Sequence, residues 1–182
     1  IPQQQGQMFD PDAGVVGQED CLTLNVWRPS NAAADAALPV MVFIHGGGNT
    51  VGSASELTQA GQRLYDGARL ASRGNVVVVT LQYRIGALGF LVHPALEAEA
   101  DNAPGNLGTL DQIAALRWVQ RNIRAFRGDP TRVMVFGESA GGLDTMLLVT
   151  SPRATGLFSR ALSQSGGLTA PTQAAARAAG QR

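Results

Sequence analysis

Apolar residues gather in short blocks separated by turn formers, and most blocks have a readable period. Leu22, Leu24 and Val26 alternate with Thr23, Asn25 and Trp27, the period of two expected of a strand with unlike faces. Pro29 ends that strand, and the Ala/Asn/Asp-rich residues 30–38 read as a connecting loop. Pro39 then opens the unbroken apolar run Val40-Met41-Val42-Phe43-Ile44. Residues 76–81 are continuous and β-branched, as befits a strand buried on both faces of a parallel sheet. Val133-Met134-Val135-Phe136 forms a fourth block. A fifth strand is expected where residues 158–162 lead into Ser163-Gln164-Ser165-Gly166-Gly167.

Helical periods fill the gaps. Residues 66–73 suggest a short helix stopped by Gly74-Asn75. Across 107–126, Leu110, Ile113, Leu116, Val119, Ile123 and Phe126 recur at three-to-four spacing. Arg117, Gln120, Arg121 and Arg124 lie off that face, so this long helix should cover a sheet. Thr109 with Gln112 fits a capping box, and Gly128 stands where a C-terminal glycine belongs. Asp129-Pro130-Thr131 turns the chain into the fourth strand. Residues 143–149 suit another helix and 172–179 an Ala-rich one, whereas 83–92 reads as a largely apolar loop. Residues 1–18 have no apolar period and read as a surface loop or arm, and 97–101 as an acidic surface stretch. Strand alternating with helix predicts an α/β architecture, a mostly parallel central sheet whose ligands sit at the carboxyl ends of the strands.

Length and charge narrow the partners. The 182 residues suffice for one domain with a sizeable core. Fourteen basic residues balance fourteen acidic ones, so neither nucleic acid nor an anionic membrane surface is an expected partner. Every basic residue is arginine and alanine is abundant, which suggests GC-rich, bacterial coding. No run is long and apolar enough to span a bilayer, and Ile1-Pro2-Gln3 does not open a signal peptide. The single cysteine, Cys21, cannot form an internal disulfide, so the compartment, cytoplasmic or secreted, stays open.

Two glycine-rich segments carry the chemistry. Gly137-Glu138-Ser139-Ala140-Gly141 stands directly between a strand block and a helical segment, the context of a nucleophile elbow. There the turn is so sharp that the serine takes a strained conformation, and the glycines let strand and helix approach. His45-Gly46-Gly47-Gly48 follows an all-apolar strand, leaving backbone N–H groups uncovered that can converge on a small anion. Such donors, aimed at a developing oxyanion, contribute about 3 to 4 kcal/mol each. His93, before Pro94, reads as a structural or exposed residue.

Together these residues resemble the type-B carboxylesterase family, the cholinesterase-like branch of the α/β-hydrolases. Four segments carry the likeness: residues 19–27, His45 to Gly48, Gly105-Asn106-Leu107-Gly108 with Asp111-Gln112, and residues 136–142. The resemblance implies that Ser139 is the acylated nucleophile and that the N–H groups of Gly47, Gly48 and Ala140 form the oxyanion hole, with Gly46 supporting them. It implies for Glu138 either a buried acid near the acyl pocket or a structural hydrogen-bonder, and for Ser165 a position near the histidine, structural or catalytic. It implies a small-molecule ester substrate and no metal or organic cofactor. Three positions depart from the family pattern. Asn49-Thr50 replaces an aromatic residue after the glycines, Asp144 stands where a small polar residue is typical, and Ile1 replaces a cysteine that often bridges the one at Cys21, which leaves that thiol unbridged.

After Ser139 the only acidic residue is Asp144, on the elbow helix itself, and there is no histidine. The family supplies its triad in the order Ser, acid, His, so the acid and the base are expected outside this segment. Residues 1–182 are therefore expected to be an internal portion of one α/β-hydrolase catalytic domain, truncated at both ends. The missing C-terminal half of the same fold would be its partner, and one sheet edge and one face would be left uncovered. A non-catalytic binding or adhesion module, and thioesterase or peptidase chemistry, remain alternatives on the same fold.

Overall fold

The structure is a computed structural model and describes residues 20–97, 105–167 and 171–181. The arm at residues 1–18 and most of the acidic stretch at 97–101 lie outside the described residues. Five strands form one sheet: β1 (Leu24–Trp27), β2 (Leu38–Ile44), β3 (Val77–Leu81), β4 (Gly128–Glu138) and β5 (Arg160–Gln164). Their order is β1-β3-β2-β4-β5. The last four run parallel and β1 is antiparallel to β3. A loop with no crossover helix joins β1 to β2, and a chain that turns back without crossing the sheet must reverse direction.

Helices α1 (Ala68–Gly74), α2 (Gly86–Phe90), α3 (Pro94–Glu97), α4 (Leu107–Asn122), α5 (Ala140–Thr150) and α6 (Gln173–Gly180) make the connections and the final segment. The expected face of α4 is the buried one: Ile113, Leu116, Val119 and Ile123 are each 1 % exposed or less. They pack into one core with Val40, Val42 and Ile44 of β2, Val133 and Val135 of β4, and Leu148 of α5. All five residues of β3 are buried, as its lack of alternation required. On the opposite face Phe43 packs against Tyr65 and Phe136 at centroid distances of 4.8 and 5.1 Å. Beside them an apolar pocket of about 150 Å³ stays open, and four of the five residues of β5 are exposed. One face is thus sealed while the other face and one edge are only partly covered.

Several local expectations are corrected. The apolar loop at 83–92 contains α2, too short for a period to reveal; its Gly86 N–H donates to the Asn49 carbonyl at 2.6 Å. Thr109 and Gln112 form no capping box: α4 starts after Asn106 with no side-chain cap, and Gln112 is wholly buried and bonded elsewhere. The left-handed stop after residues 123–126, a 3₁₀ turn, is Arg127 at φ 69°, and Gly128 already belongs to β4. β2 begins at Leu38, one residue before Pro39.

Leu116 is fully buried between α4 and the sheet, so Leu116→Ala should lower stability by about 2–5 kcal/mol through lost burial and the cavity left behind. Urea denaturation followed by circular dichroism measures this, and a loss under about 1 kcal/mol would mean that the helix is not seated as described.

Candidate functional site

The site begins with a register. Ile44, the last residue of β2, pairs with Gly137 of β4, and Glu138 pairs with Gln164 of β5. Parallel neighbours bring their carboxyl ends level, so the segments after β2, β4 and β5 emerge side by side. These are the glycine loop, Ser139 and Ser165.

Ser139 sits between β4 and α5 at φ 56°, ψ −121°. For a residue with a side chain this is a strained conformation, worth of order 1–3 kcal/mol, held here by its surroundings. Its N–H donates to the Gln164 carbonyl at 2.8 Å, and its carbonyl accepts from Leu143 N–H at 3.0 Å. A Cβ on Gly141 would run into the carbonyl of Ile44, so α5 can start this close to β2 only with glycine there.

On the other side, a Cβ on Gly46 would lie 2.8 Å from the Glu138 carbonyl and 3.2 Å from Ser139 Cβ. Loop and elbow are therefore in van der Waals contact. Gly47, Gly48 and Asn49 follow with φ of 106°, 63° and 57°, a left-handed run that turns the loop sharply. Among the described residues, no hydrogen bond takes up the N–H groups of Gly47, Gly48 or Ala140. Acyl transfer needs a hydroxyl to attack a carbonyl and backbone donors beside it to hold the oxyanion that results.

Glu138 is exposed among the described residues. Its Oε2 lies 3.1 Å from where a Gly46 Cβ would stand. Ser165 is exposed at the tip of β5 with φ 55°. Among the described residues neither histidine is hydrogen-bonded to Ser139. His45 is 1 % exposed and stacks on Tyr83 with centroids 4.5 Å apart. Its Nδ1 donates to the Gly46 carbonyl at 2.9 Å. Burial pulls its pKa from 6.5 down to about 4, against weaker upward pulls from that carbonyl and Gln82, so the ring is neutral. His93 Nδ1 accepts from Ala95 N–H at 3.2 Å.

Beneath the loop lies a polar layer that sequence reasoning did not assemble. Asp144 of α5 is wholly buried and accepts from Gln112 Nε2 at 2.6 Å and from Asn49 Nδ2 at 3.0 Å. Burial raises its pKa, and those two bonds oppose the rise. The Tyr83 hydroxyl lies 2.8 Å from the His45 carbonyl and 3.0 Å from Asn49 Oδ1. Burial, then the Asp144 charge, pushes its pKa up. Asp111 accepts from Arg84 at both carboxylate oxygens and fixes the chain just past β3. The available signal was that Asn49 and Asp144 both depart from the family pattern. Among the described residues no group of three or more His, Cys, Asp or Glu could hold a metal ion, and no helix is long and apolar enough to cross a membrane.

The sequence profile of the Carboxylesterase family matches residues 2–182, and the chain belongs to that family. It is 51 % identical over 154 residues to a fumonisin B1 esterase of Sphingopyxis macrogoltabida, covering 84 % of this chain and 27 % of that one. With carboxylesterase 3 of Pongo abelii it shares 52 % over 153 residues, covering 84 % and 25 %. Its fold superposes on a thermophilic PNB esterase with a TM-score of 0.80 at 45 % identity, over 91 % of this chain and 32 % of the other. The chain thus has the α/β-hydrolase fold of these esterases and spans about a quarter of the length of the curated relatives it matches. One of the two relatives is bacterial and one mammalian, so they do not bear on the organism.

Neutral His45 gives the fold an acid sensitivity. The unfolded chain takes up this proton near pH 6.5 and the native state only near 4, so stability falls as pH drops through that window. About 2 kcal/mol should be lost between pH 7 and 5 through this residue alone. Urea midpoints of the parent and His45→Gln across that range measure it, and equal pH slopes would refute it.

Proposed function

We propose that this chain carries the nucleophile and the oxyanion hole of a serine carboxylic-ester hydrolase, and that it is the N-terminal and central portion of one catalytic domain. The observation that supports the reading is the contact of Gly46 with the elbow, together with amides of Gly47, Gly48 and Ala140 that take part in no hydrogen bond among the described residues. Family membership and the esterase names of the relatives support it.

In this reading Ser139 Oγ attacks the carbonyl carbon of an ester, and its proton passes to a general base. The carbonyl oxygen becomes an oxyanion and accepts from Gly47, Gly48 and Ala140 N–H, while Gly46 keeps the loop against the elbow. The C–O bond to the alcohol breaks and the alcohol leaves with the proton. Water then attacks the acyl-serine ester, returning the serine and releasing the acid. His45 is enclosed and neutral, and His93 is bonded within its own turn. The base and its orienting carboxylate are therefore supplied by residues outside these 182.

An uncharged organophosphonate tests this. In the full natural polypeptide that carries these residues, peptide mapping should find the adduct on Ser139, and Ser139→Ala should abolish it. The same substitution should lower p-nitrophenyl ester turnover about 10⁴-fold or more. The 182-residue polypeptide alone should not turn the ester over. Absence of an adduct would favour a binding module on the same fold, and turnover by the 182 residues alone would overturn the assignment of the base.

A further inference from the structure

The polar layer under the glycine loop has no part in the chemistry above. Its geometry joins the two halves of the site. Asn49, directly after Gly48, donates through Nδ2 to Asp144 Oδ1 at 3.0 Å, and Asp144 lies in the second turn of the helix that Ser139 begins. This side-chain bond runs from the loop to α5. Gln112 of α4 occupies the other carboxylate oxygen at 2.6 Å. Gln112 Oε1 is buried and has no hydrogen-bond partner among the described residues, so its Nε2 bond to Asp144 holds the amide. Asn49 Oδ1 faces the Tyr83 hydroxyl at 3.0 Å, which fixes which end of the Asn49 amide points to Asp144.

We propose that Asn49 and Asp144 are a pair of positioning residues: their hydrogen bond locks the glycine loop to the helix that carries Ser139, so that oxyanion donors and nucleophile keep one relative geometry. A buried carboxylate accepting from amides makes strong, directional bonds. A donor displaced by about 1 Å from the developing oxyanion can lose up to about a hundredfold in rate. Asp144 is buried, and the Asn49 amide faces Asp144 at one end and the Tyr83 hydroxyl at the other, so both are turned inward. The effect therefore falls on kcat. This inference rests on the esterase reading and concerns how that site is held.

The test exchanges the partners in the full natural polypeptide. Asn49→Asp sets two carboxylates against each other at 3.0 Å. Asn49→Asp with Asp144→Asn restores every bond: Gln112 donates to the new amide oxygen, the new amide donates to the new carboxylate, and Tyr83 donates to its other oxygen. Asn49→Asp should lower kcat for a p-nitrophenyl ester about tenfold or more with KM within about twofold, and the double variant should recover most of that loss. A folded Asn49→Asp protein with unchanged kcat overturns the proposal, as does a double variant no better than the single. If Asn49→Asp does not fold, Asn49→Ala takes its place: a kcat loss beyond about threefold at constant KM supports the pairing, and a smaller one overturns it. A parent protein without Ser139-dependent turnover would overturn the esterase reading itself. Parent turnover with insensitive variants would overturn only the pairing.

Discussion

Three stretches of backbone meet at one end of the sheet where no Cβ can stand. Ile44 and Gly137 face each other across the last rung between β2 and β4, and one residue further on the chain must turn in opposite ways. β2 runs into the glycine loop and β4 into the elbow. Side chains at 46 or 141 would meet carbonyls of the neighbouring segment, and forcing atoms into such space typically costs about 1–3 kcal/mol. The parallel register supplies proximity, and the glycines convert proximity into contact. Without both, donors and hydroxyl would be separated by the thickness of a side chain.

Under that contact the molecule keeps an unusual amount of buried polarity. His45, Tyr83, Gln112 and Asp144 are each 1 % exposed or less. Two amides satisfy the Asp144 carboxylate, while His45 Nε2 and Gln112 Oε1 are buried without a partner among the described residues. Unmet atoms of this kind cost stability, and the bonds that are made hold the layer in one arrangement. The neutral imidazole stacked on Tyr83 belongs to the same logic, since a charged ring there would have no water to solvate it.

The strands and helices that bury a continuous face were legible because burial imposes a period: β3, the inner face of α4 and the strand before Ser139 all announced themselves. The approach of the glycine loop to the elbow, seen at Gly46, was also legible, because parallel strands expose their carboxyl ends together. What escaped was decided by partners distant in sequence. Gln112 looks like a cap to a reader who cannot see that its amide is committed to residue 144. α2 spans five residues and offers no period, and its place is set by partners distant in sequence, the hydrogen bond to Asn49 and the packing of Phe90 against Gly108 of α4. The direction of β1 followed from the absence of a helix between it and β2. Exposure of Glu138 depends on what covers the strand end, which no local pattern encodes.

The backbone at residue 139 also sets a direction for neutral drift. A left-handed position that a side chain occupies under strain is one that glycine occupies freely, so replacement by glycine there relaxes the native state. Selection for stability alone would push this site away from serine. A lineage that gave up catalysis could become sturdier by one substitution and keep its shape for other uses, and holding the hydroxyl in place requires selection on chemistry that outweighs selection on folding.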